Sequence, residues 1–439
     1  MSELWARMAL GAYRALGAAS YPFLGPFLAL RARRGKEERD RRHERYGYPS
    51  ISRPKGPLVW LHAASIGESL AILPLVERVS ALGIQSVLTT GTVTSAGIVQ
   101  ERLPPRTAHQ YVPLDMRRAV QRFIGHWRPD LAIFAESEVW PMIVLELEAR
   151  RVPQILVNAR MSDRSYDRWL QMPRIAEALF EKIAHVAAQS ETDAERFRDL
   201  GARPVTTSGN LKVDVADLPY DKAEFDRFSS AIGKRPAWIA ASTHAGEEAV
   251  AVSVHKRLLA EFPDLLTIIA PRHPERAAEV ASIMAAAGID FVRRSSGETP
   301  SVKSGILLAD TIGEMGLLFR LAQVAFVGRS LTASGGQNPL EPAALGAAVL
   351  SGRNVENFRD AYRNLLAAGG ARLMRDEDML AANVAWLLAN PVERRKMADA
   401  ARKTVEGMRG ALDRTMASLD PYLFPLTVVR GLDGGDGGR

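Results

Sequence analysis

Residues 58–69 read LVWLHAASIGES. The first six are apolar apart from His62 and carry no formal charge, and they run directly into a serine, a glycine and a glutamate. An unbroken apolar run of that length is a strand buried on both faces, which is the habit of parallel sheets. Ser65 followed three residues later by Glu68 is a helix start. The stretch is therefore a strand, a tight turn and a helix. Working outward, similar runs stand at 85–90, 131–135, 154–158 and 185–189, with helical stretches such as 68–82 and 139–150 between them. A polar interval at 214–235 breaks the rhythm. It resumes with runs at 237–241, 265–270, 289–293, 305–309, 323–327 and 347–350. Alternation of this kind predicts an α/β protein with two doubly wound, Rossmann-like halves joined near residue 220. Ligands of such sheets bind outside the carboxyl ends of the strands.

The composition suits that architecture. The chain has 439 residues, 47% hydrophobic and 24% charged, which excludes disordered and collagen-like classes. It has no cysteine, so disulfide frameworks, iron–sulfur clusters and thiol nucleophiles are excluded together. The net charge of +7 is concentrated: residues 1–50 hold ten Lys/Arg and five Asp/Glu, leaving +5 there and an almost neutral body. A basic nucleic-acid groove spread over the fold is not expected. Residues 15–30, ALGAASYPFLGPFLAL, are uncharged and lie between Arg14 and Arg31. They predict a membrane anchor, spanning or lying in the interface, whose basic flank stays on the cytoplasmic side. A buried helical hairpin is the competing reading.

Neither a GxxxxGK loop nor a GxGxxG turn is present, HExxH is absent, and the eight histidines are scattered, so no metal or cofactor is expected. At 58–69 three readings stand: Ser65 as a nucleophile on a strand-to-helix elbow, Glu68 as a general base at the helix start, or both as a capping box. Glu136 and Glu138 follow the run at 131–135, and Lys212 stands in GNLKVD near the junction. Arg272, after the most apolar run, is a fork-shaped cation where a phosphate would sit. Gly335-Gly336-Gln337-Asn338-Pro339-Leu340-Glu341 is a glycine turn opening a helix, able to hold an anion, with Glu341 free for a sugar hydroxyl. Together these favour a phosphate-bearing, sugar-like ligand.

The ordered set HAASIGE, AESEVWP, NARMSDRS, GNLKVD, ASTHAGEE, APRHPER, DTIGEM, FVGRSL and GGQNPLEPAA resembles the 3-deoxy-D-manno-octulosonic acid (Kdo) transferases, from the N-terminal segment to about residue 420. That resemblance implies a GT-B glycosyltransferase on the cytoplasmic face of the inner membrane, moving Kdo from CMP-Kdo to the lipid A precursor with inversion. With the composition, it divides the chain into four expected regions: an anchor with a basic segment at 1–50, an acceptor-side domain at 51–220, a CMP-sugar domain at 221–425, and, read from its Gly/Asp-rich end, a disordered tail at 426–439. Glu68 matches the general base; Glu136 and Lys212 match transition-state stabilisers. Pro271, Arg272, Ile312, Gly313, Glu314, Asn338, Pro339, Leu340 and Glu341 match CMP-binding segments. Gln337 stands where many relatives have His, Arg329 where Gly is frequent, Ser137 where Thr is, and Ala245 where Glu is. The competing functions are a GT-B transferase using another activated sugar, a serine hydrolase on Ser65, and a basic membrane adaptor.

Overall fold

The computed structural model describes residues 2–214, 218–301 and 304–433. The chain divides into two compact units, one formed by Met1–Val215 with Gly410–Arg439, the other by Ala216–Arg409. Unit 1 holds the strands β1 Leu58–Ala63, β2 Gln85–Thr90, β3 Thr107–Tyr111, β4 Leu131–Ala135, β5 Gln154–Ala159, β6 His185–Ala188 and β7 Val205–Thr207. They form one sheet in the order β3-β2-β1-β4-β5-β6-β7, parallel throughout. Unit 2 holds β8 Ala237–Thr243, β9 Leu266–Pro271, β10 Phe291–Arg293, β11 Ile306–Leu308, β12 Val324–Val327, β13 Ala348–Gly352 and β14 Ala371–Met374. Its sheet, ordered β10-β11-β9-β8-β12-β13-β14, is also parallel. The expected pair of doubly wound sheets is present.

Helices cover both faces of each sheet, which explains the apolar runs. In β1 all six residues are buried. Leu58 and Trp60 belong to one core with Phe123 and Phe134, while Val59, Leu61 and Ala63 belong to another with Ile72, Leu75 and Val76. In unit 2, Trp238 and Ala240 of β8 face one core and Ile239 and Ala241 the other. Each sheet reverses its winding once, between β1 and β4 in unit 1 and between β8 and β12 in unit 2. The loops leaving these strands define the crevice where an open α/β sheet takes its ligand.

Two expectations are corrected here. The helix Ala411–Asp433 belongs to unit 1: Ala411, Leu419 and Leu423 share the core of Val59 and Leu61, and Tyr422 donates its hydroxyl to the Ala184 carbonyl at 2.9 Å. The second unit therefore ends at Arg409 rather than near 425. Residues 426–433, expected as disordered tail, continue that helix, and 434–439 lie outside the described residues. The polar interval contains the helix Lys222–Ile232, started by Asp221, whose carboxylate accepts the N–H groups of Ala223 and Glu224.

The N-terminal apolar stretch is two helices, Ser2–Ser20 and Leu24–Arg33, separated by a 3-10 turn at Tyr21–Phe23 around Pro22. Among the described residues no helix is long and apolar enough to cross a membrane. Only Leu24 and Leu28 of the second helix are buried, which is not the buried helical hairpin of the competing reading. Three of the basic residues point inward. Arg31 and Arg45 hold Glu37 at 2.9 and 3.0 Å, Arg41 holds Glu44 at 2.8 Å, and both Arg41 and Arg45 stack on Tyr111. Arg33, Arg34, Lys36 and Arg39 remain exposed.

Candidate active site

Unit 1 gathers its polar groups at the carboxyl ends of β1 and β4. Ser65 caps the helix Ile66–Ala81: its hydroxyl oxygen accepts the Glu68 N–H and donates to Glu68 Oε1 at 2.6 Å. Glu68 Oε2 accepts the Ala64 N–H at 2.8 Å. This is the expected helix cap with the return bond shifted by one residue, to Ala64 N–H instead of that of Ser65, and it fixes both carboxylate oxygens of Glu68 at the mouth of the strand. Burial pushes the Glu68 carboxyl above its usual range. The Ser65 hydrogen bond opposes this, the Glu136 carboxylate reinforces it, and Lys212 opposes it. Ser65 donates its hydroxyl to Glu68, and among the described residues no histidine is hydrogen-bonded to it as the elbow reading requires.

Glu136 leaves β4 with φ +56, a left-handed conformation that costs a non-glycine residue about 1 kcal/mol or more. Its N–H is held by the Val157 carbonyl at 3.0 Å, and its carboxylate receives Lys212 Nζ at 2.7 Å. Lys212 comes from the short helix Leu211–Asp214, which Asn158 pins by accepting the Leu211 N–H at 2.9 Å. Asn158, fully buried at the end of β5, is itself left-handed at φ +50. Glu138 accepts the Trp140 indole N–H at 2.7 Å and stands 4.0 Å from His62 Nε2. Burial, the Glu68 charge and, more weakly, the Glu136 charge push Glu138 up to about 7. Burial pushes His62 down to about 4, so its ring is neutral near pH 7. The Thr89 carbonyl, 3.0 Å from Nδ1, can only accept. The ring proton therefore sits on Nδ1, and Nε2 turns a lone pair toward Glu138.

Unit 2 offers a cavity of about 270 Å³ at the ends of β8 and β12, lined by Ser242, Arg272, Gly313, Gln337, Asn338 and Glu341 among others. The Arg272 N–H is fixed on the Thr243 carbonyl at 3.0 Å, while its guanidinium is exposed and has no hydrogen bond or ion pair among the described residues. Glu341 accepts the Asn338 side-chain N–H at 3.0 Å; burial pushes its carboxyl up, against the pull of that bond and of Arg272. The glycine turn opens a helix of only five residues, Leu340–Ala344, and Asn338 Oδ1 takes its Leu340 N–H at 3.1 Å. The expected anion-binding helix end is capped from within. Gly336 is required where it stands, because at φ +70 a Cβ would lie 2.9 Å from Val355 Cα.

Of the residues read from sequence, Glu68, Glu136 and Lys212 form one constellation. Arg272, Gly313, Asn338 and Glu341 line one cavity. Pro271 is the buried end of β9, Ile312 is 85% exposed, and neither they nor Pro339 and Leu340 line the cavity. Glu314 is held by Arg294 at 2.6 Å and by the Thr311 hydroxyl. Sequence reasoning missed His62 and Asn158 and gave Glu138 no role. A histidine inside an apolar run and an asparagine at a strand end were the available signals.

Similarity to known proteins gives the family and the fold. A family model described as 3-deoxy-D-manno-octulosonic-acid transferase (kdotransferase) matches residues 40–215. The 3-deoxy-D-manno-octulosonic acid transferase of Haemophilus influenzae is 34% identical over 418 residues, covering 94% of this chain and 98% of its own. That of Bordetella pertussis is 35% identical over 383 residues, covering 84% and 88%. Among solved structures, a glycosyltransferase from Rickettsia africae shares the fold at a TM-score of 0.59 and 10% identity, over 84% of this chain and 99% of its own.

Proposed function

The chain belongs to the 3-deoxy-D-manno-octulosonic acid (Kdo) transferase family, and from that premise we propose that it moves Kdo from CMP-Kdo to a hydroxyl of the lipid A precursor with inversion, Glu68 serving as general base. The observation that carries the proposal is the Glu68 carboxylate, fixed by Ser65 and Ala64 beside the Glu136–Lys212 pair. In the reaction the acceptor O–H gives its proton to Glu68 as its oxygen bonds the anomeric carbon. The bond from that carbon to the phosphate oxygen breaks, and CMP leaves with the electron pair. Positive character grows on the sugar and negative charge on the phosphate. Glu136 and Lys212 answer the sugar, whose own carboxylate gives it both signs of charge. Arg272 answers the phosphate, and Glu341 and Asn338 hold hydroxyl groups of the nucleotide.

Replacing Glu68 by Gln keeps the size of the side chain and removes the base. Transfer to the acceptor should fall about a thousandfold, within the usual range for general bases, while CMP binds as before. Near-normal turnover refutes the role.

The N-terminal segment is proposed to lie in the interface of the cytoplasmic leaflet. Phe23 is 72% exposed and Phe27 52%, next to the exposed Arg33, Arg34 and Lys36. The first helix is tied to unit 1, since Tyr13 donates to Asp115 at 2.9 Å. An apolar face with a basic border suits an anionic bilayer surface. Flotation with vesicles containing anionic lipid tests it: Phe23→Ser with Phe27→Ser should leave most of the protein unbound, and unchanged flotation refutes the proposal.

A further inference from the structure

We propose that Glu247 and Glu248 are positioning residues for the unit 2 cavity, each bracing one of the two loops that form it; this rests on reading the cavity as the nucleotide site. The two carboxylates open the helix Glu247–Leu258 and are 1% and 0% exposed. Neither lines the cavity.

Glu247 serves the loop that follows β12. Its Oε1 accepts the Ser330 N–H at 2.9 Å and the Leu331 N–H at 3.0 Å; its Oε2 accepts the Arg329 N–H at 2.7 Å and the His244 N–H at 2.9 Å. Four backbone donors use the full acceptor capacity of a carboxylate. The loop they hold is strained, with Arg329 at φ +56, and is closed by Gly336 N–H on the Arg329 carbonyl and Gln337 N–H on the Gly328 carbonyl. Gln337 and Asn338, the next residues, line the cavity. The approach is so close that a Cβ on Gly328 would stand 2.8 Å from Glu247 Oε2. Glu248 serves the loop that follows β9. It accepts the Thr243 hydroxyl at 3.0 Å and Arg276 Nη1 at 2.6 Å. Thr243 in turn holds the Arg272 N–H through its carbonyl, so both ends of the Arg272 segment are tied to one buried carboxylate.

An amide at position 247 has one oxygen, and its NH2 would face N–H groups that also donate. Two buried donors then lose their acceptor, and the arranged loop becomes a smaller fraction of the population. Affinity falls with that fraction.

The test is calorimetric binding of CMP to the full chain, with hydrogen exchange of the loop amides. Glu247→Gln should weaken CMP about tenfold and raise the donor KM in proportion, with kcat at saturating donor changed less than about threefold. Adding Arg329→Gly should recover part of the loss, because glycine adopts that φ freely. Glu248→Gln should weaken CMP by about fivefold, and its loss should not add to that of Arg272→Ala. In the unaltered protein CMP should slow exchange of the Arg329, Ser330 and Leu331 amides, by reciprocity of linked equilibria. This arm holds even if a variant fails to fold. CMP affinity within about twofold in Glu247→Gln, or amide exchange indifferent to CMP, overturns the inference. Failure of the unaltered chain to bind CMP overturns instead the nucleotide reading of the cavity.

Discussion

The two polar constellations differ in how their charges are matched. In unit 1 Glu136 is already paired with Lys212, Glu68 is held by a hydroxyl and an amide, and Glu138 rests on an indole N–H. In unit 2 the Arg272 guanidinium stands at a cavity with no ion pair among the described residues. Three carboxylates around one lysine, each held by a protein donor, suit proton movement, because burial and like charge raise the affinity of Glu68 and Glu138 for a proton. An unmatched cation suits a bound anion, which completes it. Both groups nevertheless sit at the same place in their sheets, where the winding reverses. Both are marked by left-handed non-glycine residues at adjacent strand ends, Glu136 and Asn158 in one, Ser242 and Arg329 in the other.

If this contrast is right, unit 1 variants lower kcat and unit 2 variants raise the donor KM. The largest effect is the thousandfold loss expected for Glu68→Gln. Because Glu68 must be ionised and its folded pKa is raised, the acid limb of kcat/KM should fall above the ordinary glutamate range and disappear in this variant. Second is the stability effect of Glu138, pushed up to about 7. A carboxyl with a raised folded pKa contributes stability below its ordinary value and loses it as pH climbs through the folded value. The unaltered protein should therefore lose up to about 3 kcal/mol relative to Glu138→Gln between pH 4.5 and 7. Urea unfolding at several pH values measures this, and parallel stabilities would contradict the assigned environment. Third, Lys212→Gln should cost about a hundredfold in kcat with CMP affinity unchanged; a loss confined to KM would break the contrast. Smallest, Arg272→Ala should weaken CMP by about tenfold, roughly the value of one charged hydrogen bond, with kcat nearly intact at saturating donor. Competition by CMP, and not UDP, should sharpen the same point.

The sheets were legible because their inner strands are buried on both faces. The expected limits of β1, β2 and β4 coincide with the observed ones. The strands that escaped notice, β3, β7 and β14, all lie at sheet edges. TAHQY, VTT and ARLM have one neighbour each and only partial burial, so they lack the continuous apolar run. Glu68, Glu136 and Lys212 could be named from motifs, whereas their mutual contact spans 76 residues between Glu136 and Lys212 and depends on Asn158 holding a backbone amide. A carboxylate serving distant N–H groups, as Glu247 does, leaves no local pattern. The basic N-terminus was legible only as a total: composition counts charges, and it could not show that Arg31, Arg41 and Arg45 are engaged by Glu37, Glu44 and Tyr111.

The return of helix 411–433 to unit 1 bears on how the polypeptide is made. Unit 2 is an insertion whose two ends are stapled at Asp214, which accepts the N–H groups of Gly410 at 2.8 Å and Leu412 at 2.5 Å. Domains usually mature in the order in which they leave the ribosome. Here the earlier half is completed last: the helix that covers Val59 and Leu61 is synthesised only after residues 216–409. A released chain that ends at Gly410 should therefore resist protease in its later half and be cut in its earlier one.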